Sequence, residues 1–515
     1  MKGKWFIKIK NILLTVMILL LIVQNIKNGR VAWGFAYFYM FIAILCIKEK
    51  EFRLSGILSV GLLFFYHVLK KFEIYSMDEG VVTNSIILIV FMGMMINLKP
   101  KYKLIKTVCL LLVIPVVAYA NYSIMKDKII KDTYLEKKII RYLDKEDKKL
   151  NIGDLEKVDE LDIEEVRKLD GIEHLKNLKK LEISCKDIDD LSKLGVLINL
   201  EILQISHVKA KDLSFLKNLK NVKELHISFG DEMNFEPLLY LKNVKKLKIT
   251  NCNIENLDTI GKLYSLEELD LSNEIGITTK NKNNIKDLKG LKELSNLKKL
   301  NLSYNQEMND LSDIAYATTL EELNISFCRV NDFKPLEKLK NLKVLNIDDN
   351  ILLYDVKAKK IVRSKNIKVI GDLTNLKELH VNGAKLKDLD MVKNLKKLEV
   401  LSAERNKIST IEELKDLTSL KQVNLNENDI NDIASIADLE NIEELDLDDN
   451  DIENIEYLEK LPNLRRLDLS YNQIVNIDAL RNLKKLESVG LYENKIIDYS
   501  PIKHLNEIYE NYTKH

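Results

Sequence analysis

Residues 442–463 read IEELDLDDNDIENIEYLEKLPN, and residues 464–485 read LRRLDLSYNQIVNIDALRNLKK. The two stretches align without a gap over 22 residues, and each opens on the pattern L-x-x-L-x-L-x-x-N. In Leu467-Asp468-Leu469 the leucines alternate with a polar residue, the signature of a strand with one buried face. Ile474, Ile477, Leu480 and Leu483 then bring the chain back around the same core. The unit is therefore one turn of a coil with one strand per turn. A single turn buries too little to be stable, so stability has to come from stacked neighbours.

Outward from these two copies, the motif starts again at Leu178, Leu200, Val222, Val244, Leu266, Leu297, Leu320, Leu342, Leu376, Leu398, Leu420 and Leu486. Ten of the thirteen spacings are 22 residues; the others are 31, 23 and 34. A partial copy at Val158, Leu161 and Ile163 precedes them. Parallel pairing of successive strands is expected to give a continuous sheet on the concave side. The closing asparagine recurs at Asn305, Asn350, Asn406, Asn428, Asn450, Asn472 and Asn494. An inward amide there can donate to and accept from the backbone of adjacent turns. Cys252 and Cys328 stand at the same position. With Cys185 they lie too far apart along the coil for a metal site, and five cysteines give no disulfide framework.

On these motifs the chain resembles leucine-rich-repeat proteins, and its 22-residue unit is similar to the internalin-like bacterial subclass. The stretch LEKKIIRYLDKEDKKLNIGDLEKVDELDI (Leu135–Ile163) looks like the helical N-terminal cap of that subclass. In it Ile139, Ile140 and Leu143 share a helical face suited to covering the first turn. The resemblance covers about residues 135–505 and implies a right-handed α/β solenoid with 3-10 turns on its convex side, used for binding macromolecules. No Leu-Pro-x-Thr-Gly sorting signal follows Leu505, so attachment through the N-terminal region is expected instead of cell-wall anchoring.

That region has a different composition. The whole chain of 515 residues carries a net charge of +1, yet residues 1–150 hold 24 basic and 11 acidic side chains against 55 and 67 in the remainder. Basic charge is thus not spread along the chain, which argues against nucleic acid as a partner. Apolar runs at 6–26, 31–47, 54–69, 81–98 and 104–120 predict five membrane-spanning helices. Eleven basic residues flank alternate loops (Lys2, Lys4, Lys8, Lys10; Lys48, Lys50, Arg53; Lys99, Lys101, Lys103, Lys106), against four in the others. The positive-inside bias then puts the N-terminus in the cytoplasm and the repeats outside the cell. The expected fold class is a membrane α-helical bundle joined to a leucine-rich-repeat solenoid. Its expected domains are the spans, a linker and cap at 126–157, the solenoid at 158–505 and a tail at 506–515. The bundle reads as an anchor in the lipid bilayer. Alternatively it is a sensor or transport element regulated by the repeats, or four crossings leave the same module facing the cytoplasm.

The position two residues after the third motif leucine is expected to lie on the strand and to form a column of outward side chains across the concave face. It includes His207, Phe229, Tyr304, Phe327, Asp349, Arg405, Glu427, Asp449 and Tyr471. Phe229, Tyr304 and Phe327, with His207 and His226 beside the first, suggest a contact surface; the plainer reading is that the rings shield neighbouring backbone. Farther along, Asp349, Glu427, Asp446, Asp448, Asp449 and Asp468 make a wall suited to a cationic partner, or simply a solvated face. The long spacings mark insertions around 275–296 and 351–372, expected to leave one rim. No phosphate loop, H-E-x-x-H or nucleophile–histidine arrangement occurs, so no enzyme activity, metal or cofactor is expected. The expected function is recognition of a protein or cell-envelope ligand on the concave face.

Overall fold

The computed structural model describes residues 128–145, 149–164, 166, 168–184, 186–230, 233–274, 282–350, 354–355, 360–361, 365–503, 505 and 507–509. The chain divides into two compact units, residues 1–152 and 153–515.

In the first unit the described chain forms a helix at Thr133–Tyr142. Asp132 caps it, its Oδ1 accepting from the N–H groups of Tyr134 and Leu135 at 2.9 and 3.1 Å. Glu136 in the first turn and Arg141 in the last complement the helix dipole. Leu135 and Ile139, one helical turn apart, are its buried residues.

The second unit is a leucine-rich-repeat solenoid. Its described residues form a sheet of 16 strands, paired in parallel and in chain order apart from a short hairpin, Tyr354–Asp355 with Lys360–Ile361. The strands run from Glu160–Glu164 to Glu507–Tyr509, the last lying in the stretch read as a tail. Register follows the motif: Leu445 pairs with Leu467 and Leu467 with Val489. Short 3-10 segments, from Ile172–His174 to Ser500–Ile502, return the chain on the opposite side. The motif leucines meet in one continuous core; Leu464, Leu469, Ile474 and Leu480 are all fully buried.

The expected fold class is corrected here. Among the described residues no helix is long and apolar enough to cross a membrane. A crossing needs about 20 apolar residues, whereas the helix Thr133–Tyr142 has ten and includes Glu136, Lys137, Lys138 and Arg141. The described chain spends its leucines inside successive turns, so its class is a parallel-sheet solenoid with few helices and not a five-span bundle joined to one. The runs at 6–26, 31–47, 54–69, 81–98 and 104–120 lie outside the described residues.

The asparagine ladder supplies hydrogen bonds where no strand can. Asn450 Nδ2 donates to the carbonyls of Leu425, Leu447 and Asp448 at 3.0, 3.2 and 3.1 Å. Its Oδ1 accepts from the Ile430 N–H at 3.0 Å. At Cys328 the Sγ donates to the Leu302 carbonyl at 3.2 Å and lies against the Asn305 backbone N–H. Burial pushes the thiols of Cys252 and Cys328 up to about 12, so both stay protonated and act as small core residues.

The 31-residue spacing has a specific cause. Glu274 stands where the ladder asparagine belongs, and Asn283, nine residues later, performs its role. Asn283 Nδ2 donates to Ile249 and Leu271, and its Oδ1 accepts from Cys252 and Ile254. The extra residues therefore leave before the ladder position, with Asn273 holding the base through Asn283 at 2.6 Å. In the 34-residue repeat Asn350 keeps its place and the extra residues follow it. The chain rejoins at Lys365, which bridges to Asp332.

Candidate functional site

The concave face is built from three positions of each turn. In the repeat at Ile442 these are Glu444 and Asp446 on the strand and Asp448 beyond it. The column containing Phe229, Tyr304 and Tyr471 lies elsewhere: past the strand ends, in a turn. Its residues adopt the left-handed backbone, with φ of 56° at His207, 55° at Phe229, 65° at Tyr304, 53° at Phe327, 50° at Asp349 and 48° at Tyr471. Strand alternation explains why. With the fourth and sixth motif positions facing in, the ninth would face out, yet the ladder asparagine must face in. One residue has to break the alternation, and the eighth does, which turns its own side chain outward. Left-handed backbone costs a non-glycine residue roughly 1 kcal/mol. A hydrogen bond from each such N–H to the next turn offsets it, as from Tyr304 to the Ser326 carbonyl at 3.0 Å.

Turns stacked at the inter-strand spacing of about 4.8 Å bring neighbouring column residues into ring contact. His207 and Phe229 stack at 4.2 Å between centroids with planes 16° apart. Tyr304 and Phe327 stack at 4.5 Å and 6°. Tyr471 meets Tyr492, the residue before the column position of the next turn, edge-on at 5.1 Å. The structure thus joins the sequence-selected aromatics into two separate stacks, with Asn251 and Asn273, both buried, between them.

His226 lies on the strand Glu224–Ser228, in register with Lys248. Burial, then Lys248, lowers its pKa, which keeps the ring neutral at pH 7. Among the described residues its Nε2 has no hydrogen-bond partner, and neither have Thr250 Oγ1 and Asn251 Nδ2.

Asp349 is engaged by a residue the sequence reading placed in the column but not in the site. Arg405 Nη2 reaches it at 2.9 Å while Arg405 Nε holds Glu404 at 2.8 Å. Gly383 sits between them with φ 63°, and a Cβ there would collide with the Asp349 carboxylate. The glycine serves both the left-handed turn and the passage of the arginine.

The acidic residues form one cluster. Asp446 and Asp468 are partners in register, and each Oδ1 accepts a backbone N–H two residues on, from Asp448 and Ser470. Burial first, then the charges of Asp468, Asp446, Asp449 and Glu427, push the Asp448 carboxyl up to about 6. Burial also raises Asp446. Among the described residues no group of three or more potential ligands could hold a metal ion.

Two hollows accompany these groups. The larger, about 820 Å³, lies where the strands begin, among residues such as Lys245, Glu267, Glu321 and Lys343. Both of its glutamates are engaged, Glu267 with Lys245 at 2.7 Å and Glu321 with Lys343 at 2.5 Å. The smaller, about 320 Å³, opens on the concave face itself and is lined by Asp270, Asn301, Asn324, Asn346, Glu378 and His380 among others. The sequence reading missed it. Its signal was the recurrence of asparagine at the fifth motif position in consecutive turns.

Comparison with known proteins agrees with this architecture. Residues 319–513 match the family described as a leucine-rich repeat region. No curated protein matches the chain. Among solved structures, a leucine-rich-repeat protein of Leptospira interrogans is 25% identical, with 67% of this chain and 93% of that one covered and a TM-score of 0.52. An internalin of Listeria monocytogenes is 24% identical over 75% of this chain and 97% of its own, with a TM-score of 0.44. A plant peptide hormone receptor in complex with RGF2 is 20% identical over 65% and 54%, with a TM-score of 0.46. The chain carries a leucine-rich-repeat region, and its described second unit has that fold.

Proposed function

We propose that this protein recognises a protein ligand along the concave face of its repeats and the row of turns that borders it at the strand ends. The observation that carries the reading is the pair of parallel ring stacks, His207–Phe229 and Tyr304–Phe327, half-exposed at the ends of neighbouring strands. Paired rings offer a rigid apolar surface of low entropy, the kind of anchor that dominates interface energies. His226 lies beside the first stack. Glu427, Asp446, Asp448, Asp449 and Asp468, with Tyr471 beside them, would meet a basic stretch of the same ligand, since a wall of one charge attracts the opposite one, whereas Asp349 is already held by Arg405.

The test is site-specific photo-crosslinking in cells, with a photoreactive phenylalanine at Tyr304 and, separately, at Tyr316. Tyr316 is 63% exposed and belongs to a 3-10 segment on the opposite side. A discrete protein adduct from position 304 alone is expected. Adducts from position 316 alone would overturn the reading.

A further inference from the structure

The hollow on the concave face contains a row of hydrogen-bond donors with a fixed direction. Asn301, Asn324 and Asn346 occupy consecutive turns and pair in register, Asn301 with Asn324 and Asn324 with Asn346. Each uses its Oδ1 locally, accepting the N–H of Ser303, Ser326 and Asp348 at 3.1, 2.9 and 2.9 Å. That bond fixes the side-chain rotamer and leaves each Nδ2 as a pure donor, with no partner among the described residues. The four carboxylates around them each have a partner: Glu322 accepts from Lys299 at 2.6 Å, Glu378 contacts His380 Nε2 at 2.7 Å, Glu268 lies 3.7 Å from Lys246 Nζ, and Asp270 accepts the Ser272 N–H at 2.9 Å. Three residues beyond Asn301 and Asn324 stand Tyr304 and Phe327, the second ring stack.

We infer that this row reads the main-chain carbonyls of an extended peptide in the polyproline-II conformation, lying across the strands. The inference rests on the concave-face reading above and specifies its ligand. Donors without acceptors suit a ligand that presents acceptors without donors, and peptide carbonyls do so where the N–H is missing or turned away. The spacing selects the conformation. Polyproline II repeats every three residues, about 9.3 Å, and two inter-strand steps measure about 9.6 Å. Carbonyls on one edge of the ligand therefore meet Asn301 and Asn346 together, whereas a β-strand repeats at about 6.8 Å and falls out of step. The edges of the stacked Tyr304 and Phe327 rings would border the apolar pyrrolidine rings of such a ligand.

The probe is a fluorescein-labelled decaproline peptide titrated with the full chain and followed by anisotropy. Saturable binding with a Kd below about 1 mM is expected. The triple variant Asn301→Asp, Asn324→Asp and Asn346→Asp keeps every local acceptor, so the turns stand, but removes the three donors. It should weaken binding at least about tenfold. Asn424→Asp, the same exchange outside the hollow, should leave binding unchanged. Equal binding by the triple variant overturns the inference. So does absence of decaproline binding, and chitohexaose binding in its place would assign the hollow to glycans. If Tyr304 still crosslinks a protein while decaproline fails, concave-face recognition stands and only the ligand class falls.

Discussion

Strands before and after Asp270 keep the same register yet differ in length. Those at Lys180–Ser184, Ile202–Ser206, Glu224–Ser228 and Lys246–Thr250 run five residues; from Glu268–Asp270 onward the concave strands run three. The difference traces to the central outward residue. In the long strands it is Glu182, Gln204, His226 or Lys248, none of which bonds the N–H two residues on. In most of the short ones it is Asp or Asn, whose Oδ1 takes that N–H, as Asp270 does from Ser272. Where His380 and Ser402 stand instead, the side chains of Asp348 and Asn382 from the preceding turn capture the same group. Asp162 in the first strand does not shorten it. A local side-chain bond thus competes with the sheet ladder, and the same bond orients the amides proposed to bind peptide.

The two regions also differ in their ladders, and this offers the largest test. Among the early repeats only Cys252 offers a ladder side chain, the same position being Lys186, Val208 and Gly230 before it, whereas the later repeats use asparagine apart from Cys328. Asn450→Ala strips partners from three carbonyls and one N–H. We expect a loss of about 3 kcal/mol in urea unfolding, against about 1 kcal/mol for Cys252→Ala. Equal losses would remove the distinction. Hydrogen exchange at the Ile430 N–H should speed up only in the asparagine variant.

The acidic cluster sharpens the contrast by pH. The folded-state pKa of Asp448 is raised to about 6, above the unfolded carboxylate value. The folded state therefore binds more protons between these values. The group's contribution to stability is fully present below the unfolded pKa and is lost as pH rises through about 6. Asp448→Asn should flatten this fall and stabilise the later repeats at pH 7 by about 1 kcal/mol, screening by solvent keeping the gain small. Urea midpoints measured from pH 4 to pH 8 check it, and an unchanged slope would count against the cluster.

The smallest effect concerns the strands themselves. Asn324→Ala should free the Ser326 N–H and cost about 0.5 kcal/mol, while Asn324→Asp should be neutral. Faster hydrogen exchange at Ser326 in the alanine variant alone is the expected outcome; no change in either would detach strand length from the side-chain bond.

Much of this molecule was legible in its repeats. The phase of Leu178 to Leu486 and the inward role of Asn406 to Asn494 follow from alternation and from burial of polar groups, both local rules. The left-handed eighth position was legible in principle, because an inward ninth residue conflicts with strand parity. It was read instead as part of the strand. The apolar runs before residue 121 persuaded by composition alone and enter no described element.

By itself, then, the sequence determined the repeat, its register and the residues that face the core, since each depends on spacing within one turn. Only the tertiary structure decided which turns share a stack, that Asn283 and not Glu274 completes a ladder, and that Arg405 crosses Gly383 to reach Asp349. These are contacts between turns. Their partners lie 22 to 56 residues apart in the chain, and stacking at one strand spacing is what makes them neighbours.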